Sequence, residues 1–287
     1  MRALALVSLG LLWTADGDLP GGAVRAADGE GDEEEHTPTP TPPTPHPPRV
    51  TPSARPQAVL KDGMARVTGG TFTVGSNDAK ARPNEKPARV VTLASFWIDR
   101  TEVTVAAYRA CVDAKKCAPP ARSSTDCTYD RGDPLLPVSC VTWEMAREHC
   151  AFVGKRLPRE IEWEVAARGH SPVRYPWGGS TTSCGAAITL VNDATQKSCG
   201  KKGPARVGSR PNGASPFGVL DLSGNVEEWV ADWYGETTSE PPHAGASHVL
   251  RGGGWMSIPS MAKTTSRNWG SSREAGANVG FRCARDD

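Results

Sequence analysis

Apolar and polar residues alternate along Arg66-Val-Thr-Gly-Gly-Thr-Phe-Thr-Val-Gly-Ser76, the two-residue period that turns one face of a strand toward a core. The glycine pair inside this run predicts a bent strand or a hairpin. A second strand candidate covers Arg89 to Ile98, with Val91, Leu93 and Phe96 or Trp97 available to the core. The period then lengthens. Thr104 is a good N-cap, and Val105, Tyr108 and Val112 fall on one helical face. A second helix is expected after Thr142, with Ala146, Cys150 and Val153 on one stripe and Gly154 free to adopt the left-handed conformation that ends helices. Pro158 stands just before a third short helix, Glu160 to Arg168, closed by Gly169. Beyond Gly169 the chain becomes rich in glycine and tryptophan and loses its period. The pattern therefore predicts an α+β fold with low regular secondary structure.

Composition sets the limits of that fold. It shifts near residue 60, which gives one domain, 58–287, behind a tail. Residues 1–26 read as a signal peptide, with Arg2 as the charged end, Ala3 to Trp13 as a short apolar run and Val24-Arg25-Ala26 as a small-residue cleavage site. That run is too short to span a bilayer, so no transmembrane span is expected in the mature chain. Residues 27–57 read as a linker, acidic from Asp28 to Glu35 and then nearly alternating Thr and Pro from Thr37 to Pro48. Such a segment has no apolar face to bury and stays extended.

Charge and cysteine usage narrow the function. Lys plus Arg at 33 against Asp plus Glu at 32 leaves a net charge of +1 and no electrostatic footprint for nucleic acid. All eight cysteines fall inside 58–287, and an even number in an exported chain points to disulfides and to a periplasmic or secreted location. No two cysteines have the C-x-x-C spacing of a zinc site, and His149 is the only histidine close to one. Cys184 and Cys199 bracket one loop and are expected to pair locally.

Eight blocks in order carry a family resemblance: Val67-Thr-Gly-Gly-Thr-Phe-Thr-Val-Gly75, Phe96-Trp-Ile-Asp-Arg-Thr-Glu-Val-Thr104, Pro137-Val-Ser-Cys-Val-Thr-Trp143, the stretch from Gly154 to Gly169, Tyr175-Pro-Trp-Gly178, Phe217-Gly-Val-Leu-Asp-Leu-Ser-Gly-Asn-Val-Glu-Glu-Trp229, Leu250-Arg-Gly-Gly-Gly-Trp255 and Val279-Gly-Phe-Arg-Cys-Ala-Arg285. Together they resemble the formylglycine-generating enzyme (sulfatase-modifying factor) family over nearly all of 64–287. The resemblance implies a C-type-lectin-like variant fold and bound calcium. One scaffold hosts different functions, so the site has to decide the activity.

The resemblance also assigns residues. In Asp221-Leu-Ser-Gly-Asn-Val-Glu-Glu228 it implies a calcium loop, with side-chain oxygens from Asp221 and Glu228 and carbonyls from Gly224 and Val226. That donor set suits calcium, which takes several hard oxygens in a flexible arrangement. A second family site upstream is not readable; Asn192 and Asp193 are candidates for it, but a turn is their expected role. Cys150 and Cys283 match a family disulfide. Cys111, Cys117, Cys127 and Cys140 then form two further bridges of open connectivity. Most tryptophans, Trp143, Trp163, Trp177, Trp229 and Trp233 among them, are expected in the core, whereas Trp255 and Trp269 flank the altered cleft and are candidates to face a ligand.

That cleft has lost its chemistry. Family members that oxidise a sulfatase cysteine to formylglycine use a C-x-x-x-x-C pair that binds copper(I), a soft ion that selects thiolates. Ser257 and Ala262 occupy those two positions in this sequence. Gly254 replaces a serine, Ile258 a histidine, and Glu227 the usual tryptophan of the Gly-Asn-x-Trp-Glu-Trp segment. Copper is not expected. Ser257 beside Met256, and Met261 with His243 or His248, lack a G-x-S-x-G elbow or an ordered partner set, and read as packing and hydrogen-bonding groups. The sequence predicts a vestigial cleft at Gly254, Trp255, Ser257 and Ala262. The expected function is a non-catalytic module for an extracytoplasmic protein or glycan ligand; the alternative is a family oxidoreductase or an accessory subunit acting on sulfatases.

Overall fold

The computed structural model describes residues 58–120, 125–190, 199, 203–239, 245 and 247–287. The chain falls into two units, Met1–Pro52 and Ser53–Asp287. The expected signal peptide and the 27–57 linker lie outside the described residues, as do Asn192, Asp193 and His243.

Five strands come first: β1 (Leu60–Lys61), β2 (Met64–Val67), β3 (Gly70–Val74), β4 (Arg89–Leu93) and β5 (Phe96–Asp99). The alternating run at 66–76 is neither one strand nor a hairpin on itself. It divides between two sheets, because β2 pairs with β5 while β3 pairs with β4, all antiparallel. The segment 89–98 divides in the same way. Gly69 permits the crossing: its amide donates to Ser95 Oγ at 2.9 Å, and a Cβ there would stand 2.6 Å from the Ser95 nitrogen.

Three helices follow, each close to its expected bounds. In α1 (Val105–Asp113), Thr104 caps the Ala107 amide, and the buried face is Val105, Tyr108 and Cys111, with Cys111 in place of the expected Val112. In α2 (Trp143–Phe152) the stripe is Ala146, His149 and Cys150, whereas Val153 is 42% exposed. Gly154 follows with φ +70° as its αL position requires. The third helix, α3 (Glu160–Arg168), is buried along most of its length, including Glu162, Glu164 and Arg168. Sequence periodicity gave no sign of this, since its charged residues sit in ion pairs inside the fold. Glu164 accepts from Arg168, Arg251 and the Gly75 amide, each at 2.7 Å.

The remaining strands, β6 (Glu227–Trp233), β7 (Ser247–Arg251), β8 (Arg267–Ser271) and β9 (Val279–Phe281), form a sheet in the order β8-β7-β6-β9, with β9 parallel to β6. The last strand, β10 (Ala284–Asp286), joins β5 and closes the first sheet. Neighbouring residues of β6 and β7 serve opposite cores: Val230 and Val249 pack with Trp163 of α3, while Trp229 and Leu250 pack with Tyr108 and Phe281. This is the two-residue strand period with both faces covered.

Four disulfides cross-link the domain, and Cys150–Cys283 ties α2 to the chain between β9 and β10. Cys150–Cys283 spans 133 residues and Cys184–Cys199 spans 15, as expected. The open pairings are Cys111–Cys117 and Cys127–Cys140. No cysteine is free. Of the tryptophans expected in the core, Trp163 and Trp229 are fully enclosed and Trp143, Trp177 and Trp233 are only partly covered; Trp269, a candidate to face a ligand, is 51% exposed, and Trp255 is partly covered.

Candidate functional site

The turn from Asp221 into β6 and the segment after β7 lie against each other. The Gly224 amide donates to the Gly252 carbonyl at 3.0 Å, and the Trp255 amide donates to the Asn225 carbonyl at 2.8 Å. Glycine is required at 224, where φ is +86° and a Cβ would stand 2.4 Å from the Ile188 carbonyl oxygen. Asp221 and Asn225 also have positive φ, at 59° and 65°.

The four residues of the expected calcium loop occupy this one buried turn. Glu228 is fully buried; Arg282 donates to its two oxygens at 2.7 Å each, and Trp163 Nε1 adds a bond to Oε2 at 2.8 Å. Arg282 further donates to the carbonyls of Asp99 and Leu220. Asp221 Oδ2 accepts from the Gly208 amide at 2.6 Å. Asn225 donates to Glu102 Oε1 at 3.0 Å and accepts from the Ala205 amide at 2.8 Å. Glu102 is 2% exposed, and its Oε2 has no hydrogen-bond partner. Burial, and then the neighbouring charge of Asp221, push its carboxyl well above the usual carboxylate range.

These residues fit a hard cation. Glu102, Asp221 and Glu228 bring three buried carboxyl groups to one guanidinium, Arg282. Each carboxylate oxygen can accept more than one bond, so the ion pair leaves capacity on Glu228 Oε1. Sequence reading missed Glu102 and Arg282 as site residues, although both lie inside the blocks Phe96 to Thr104 and Val279 to Arg285.

In the segment after β7, Ser257 and Ala262 are buried while Met256 is exposed. Ser257 Oγ accepts from the Gly254 amide at 2.9 Å, and Ala262 is fully buried, its carbonyl accepting from Ser223 Oγ at 2.7 Å. A Cβ at Gly254 would stand 2.2 Å from Asn278 Oδ1, which excludes a serine there unless Asn278 shifts. Trp255 Nε1 reaches the Ala277 carbonyl at 3.4 Å. Cavities of about 420 and 630 Å³ lie elsewhere on the domain, the first beside Gly75, Arg168 and Lys263 and the second beside Trp143, Arg156 and Asp286.

Other candidates resolve into structure. His248 is sandwiched between Trp143 and Trp233, with ring centroids 3.8 Å from each. Trp269 stacks on Tyr234 at 4.5 Å. Glu227 is buried and accepts from Asn268 at 3.2 Å; burial raises its carboxyl to about 7. Ligand atoms of Cys111, Cys117 and His149 lie within 4.8 Å of one another, but the two sulfurs are bonded to each other and offer no thiolate.

Comparison with known proteins matches residues 50–287 to the model of the Sulfatase-modifying factor enzyme 1-like domain. The chain is similar to the formylglycine-generating enzyme of Thermomonospora curvata, 31% identical over 305 residues that cover 82% of this chain and 97% of that one. It is also similar to the serine/threonine-protein kinase pkn1 of Chlamydia caviae, 32% identical over 256 residues, 80% of this chain but only 39% of that protein's length. Among solved structures, PvdO from Pseudomonas aeruginosa superposes with a TM-score of 0.65 and 28% identity, over 78% of this chain and 94% of that one.

Proposed function

Because the chain belongs to the Sulfatase-modifying factor enzyme 1-like domain family, we propose that it uses that scaffold as a non-catalytic, calcium-carrying binding module outside the cytoplasm. One observation carries the reading: all eight cysteines are held in disulfides and leave no free thiol, with Ser257 and Ala262 at the positions that the resemblance assigns to the copper-binding pair. Copper(I) held for oxygen activation requires thiolates, and a hydroxyl already bonded to the Gly254 amide beside a buried methyl group provides none.

Separate residues support the location and the metal. Four disulfides suit an oxidising compartment. Among the described residues, no helix is long and apolar enough to cross a membrane. Calcium bound at Asp221, Gly224, Val226 and Glu228 would offset the surplus negative charge there. Arg282 and Trp163 would hold Glu228 in place, and Gly208 would hold Asp221. For the ligand, an extracytoplasmic protein or a glycan, the exposed Trp269 stacked on Tyr234 supplies an aromatic platform.

The test is a copper(I) competition titration of the purified full chain against a chromogenic chelator, followed by capture from envelope and secreted fractions with and without calcium. The proposal expects no stoichiometric copper(I) binding and capture of a glycan or envelope protein. Tight one-to-one copper(I) binding would contradict the module reading. Stoichiometric capture of a sulfatase would replace it with the accessory role.

A further inference from the structure

We infer that Glu102, which reaches the Asp221–Glu228 turn from a different part of the chain, supplies a cation-facing oxygen to that turn and sets its metal affinity. The inference rests on the calcium reading above and adds a residue to it.

Glu102 lies between β5 and α1, far in sequence from the turn, yet the Asn225 side chain binds its Oε1 at 3.0 Å and fixes the carboxyl group there. Its second oxygen, Oε2, is buried without a partner, in a residue 2% exposed. A buried carboxyl oxygen left unpaired is costly whether the group is charged or protonated, because one form lacks a donor and the other an acceptor. The groups that act on it most strongly are Asp221, Arg282 and Glu228. Arg282 is already engaged by Glu228 and by two carbonyls, so among the described residues no further cation faces Oε2. A divalent ion with a preference for hard oxygens satisfies Oε2 and balances the charge together. Asn225 then acts as a positioning residue, holding Glu102 through one amide hydrogen while its own oxygen is fixed by the Ala205 amide.

The experiment titrates the full chain with terbium, an oxygen-seeking lanthanide excited through nearby Trp163, and displaces it with calcium for wild type, Glu102→Gln and Asp221→Asn. The isosteric amide keeps an acceptor for Asn225 and puts an NH2 group, which cannot face a cation, in place of Oε2. The inference expects calcium affinity to fall about 10–100-fold in Glu102→Gln. The rise in melting temperature from chelator to millimolar calcium should shrink in the same variant relative to wild type. A purely structural glutamate would lower both melting temperatures equally and leave that rise unchanged. Should Glu102→Gln fail to fold, Glu102→Asp, which keeps the charge but withdraws it by one methylene, is expected to weaken calcium by a similar factor. Wild-type affinity in the folded variant, with loss in Asp221→Asn, would overturn the role of Glu102 and leave the calcium reading intact. A wild-type chain that binds neither ion and melts identically in chelator and calcium would overturn both.

Discussion

The turn at Asp221–Glu228 and the segment at Gly252–Ala262 touch through two backbone hydrogen bonds, but buried charged groups gather only at the turn. The turn retains a carboxylate fixed by Arg282 and Trp163, a second fixed by Gly208, and a third with an unpaired oxygen. In the segment the side chains fill space and make local hydrogen bonds: Ser257 accepts from the Gly254 amide, Asn278 lies over Gly254, and Ala262 is buried. The ion-paired turn is part of what holds β6, β9 and α3 together, whereas thiols at 257 and 262 would serve only the reaction.

The sharpest way to break this contrast is at the turn. Arg282→Met should destabilise the fold by about 3–5 kcal/mol, because it strands a fully buried Glu228; denaturant midpoints at constant slope would measure it. Removing the Cys150–Cys283 bridge should cost roughly 2–5 kcal/mol. Its loop spans 133 residues against 15 for Cys184–Cys199, so the shorter bridge should matter less by ~2 kcal/mol in the same melts.

Glu227 offers an intermediate effect beside the altered segment. Its folded carboxyl lies at about 7 against an ordinary 4.5 because of burial. The native state thus binds more protons than the unfolded chain between these values, and its stability should fall as pH rises through them, by up to about 3 kcal/mol. Glu227→Gln should flatten that slope in melts taken across the window; an unchanged slope would assign it to other groups. The smallest effect belongs to the segment itself. Ser257→Ala should cost only about 1 kcal/mol, the net value of one hydrogen bond, and should leave ligand capture unchanged.

Much of this was readable before the fold was known. The helix caps at Thr104 and Thr142, the stops at Gly154 and Gly169, and the Cys150–Cys283 and Cys184–Cys199 pairs all follow from local residue chemistry or motif resemblance. The division of 66–76 between two sheets was not, since alternation fixes a face but not a partner; only the contact of Gly69 with Ser95 reveals it. The burial of α3 was hidden for a related reason. The spacing of Glu162, Glu164 and Arg168 does not reveal that Arg156, Arg251 and the Gly75 carbonyl stand beside them. Glu102 stood inside a quoted motif, but its reach to Asn225, 123 residues away, is a property of the tertiary fold.

The most direct test of the central claim is mass spectrometry of a sulfatase-type Cys-x-Pro-x-Arg peptide incubated with the purified chain, copper, oxygen and a thiol reductant. Run in parallel, the Ser257→Cys plus Ala262→Cys variant is expected to recover some copper(I) binding but little turnover, because Gly254, Ile258 and Glu227 leave the surrounding groups unsuited to it. The wild-type chain should return the peptide with its cysteine intact, matching a control without protein. Formylglycine formed by the wild-type chain above that control would contradict the account.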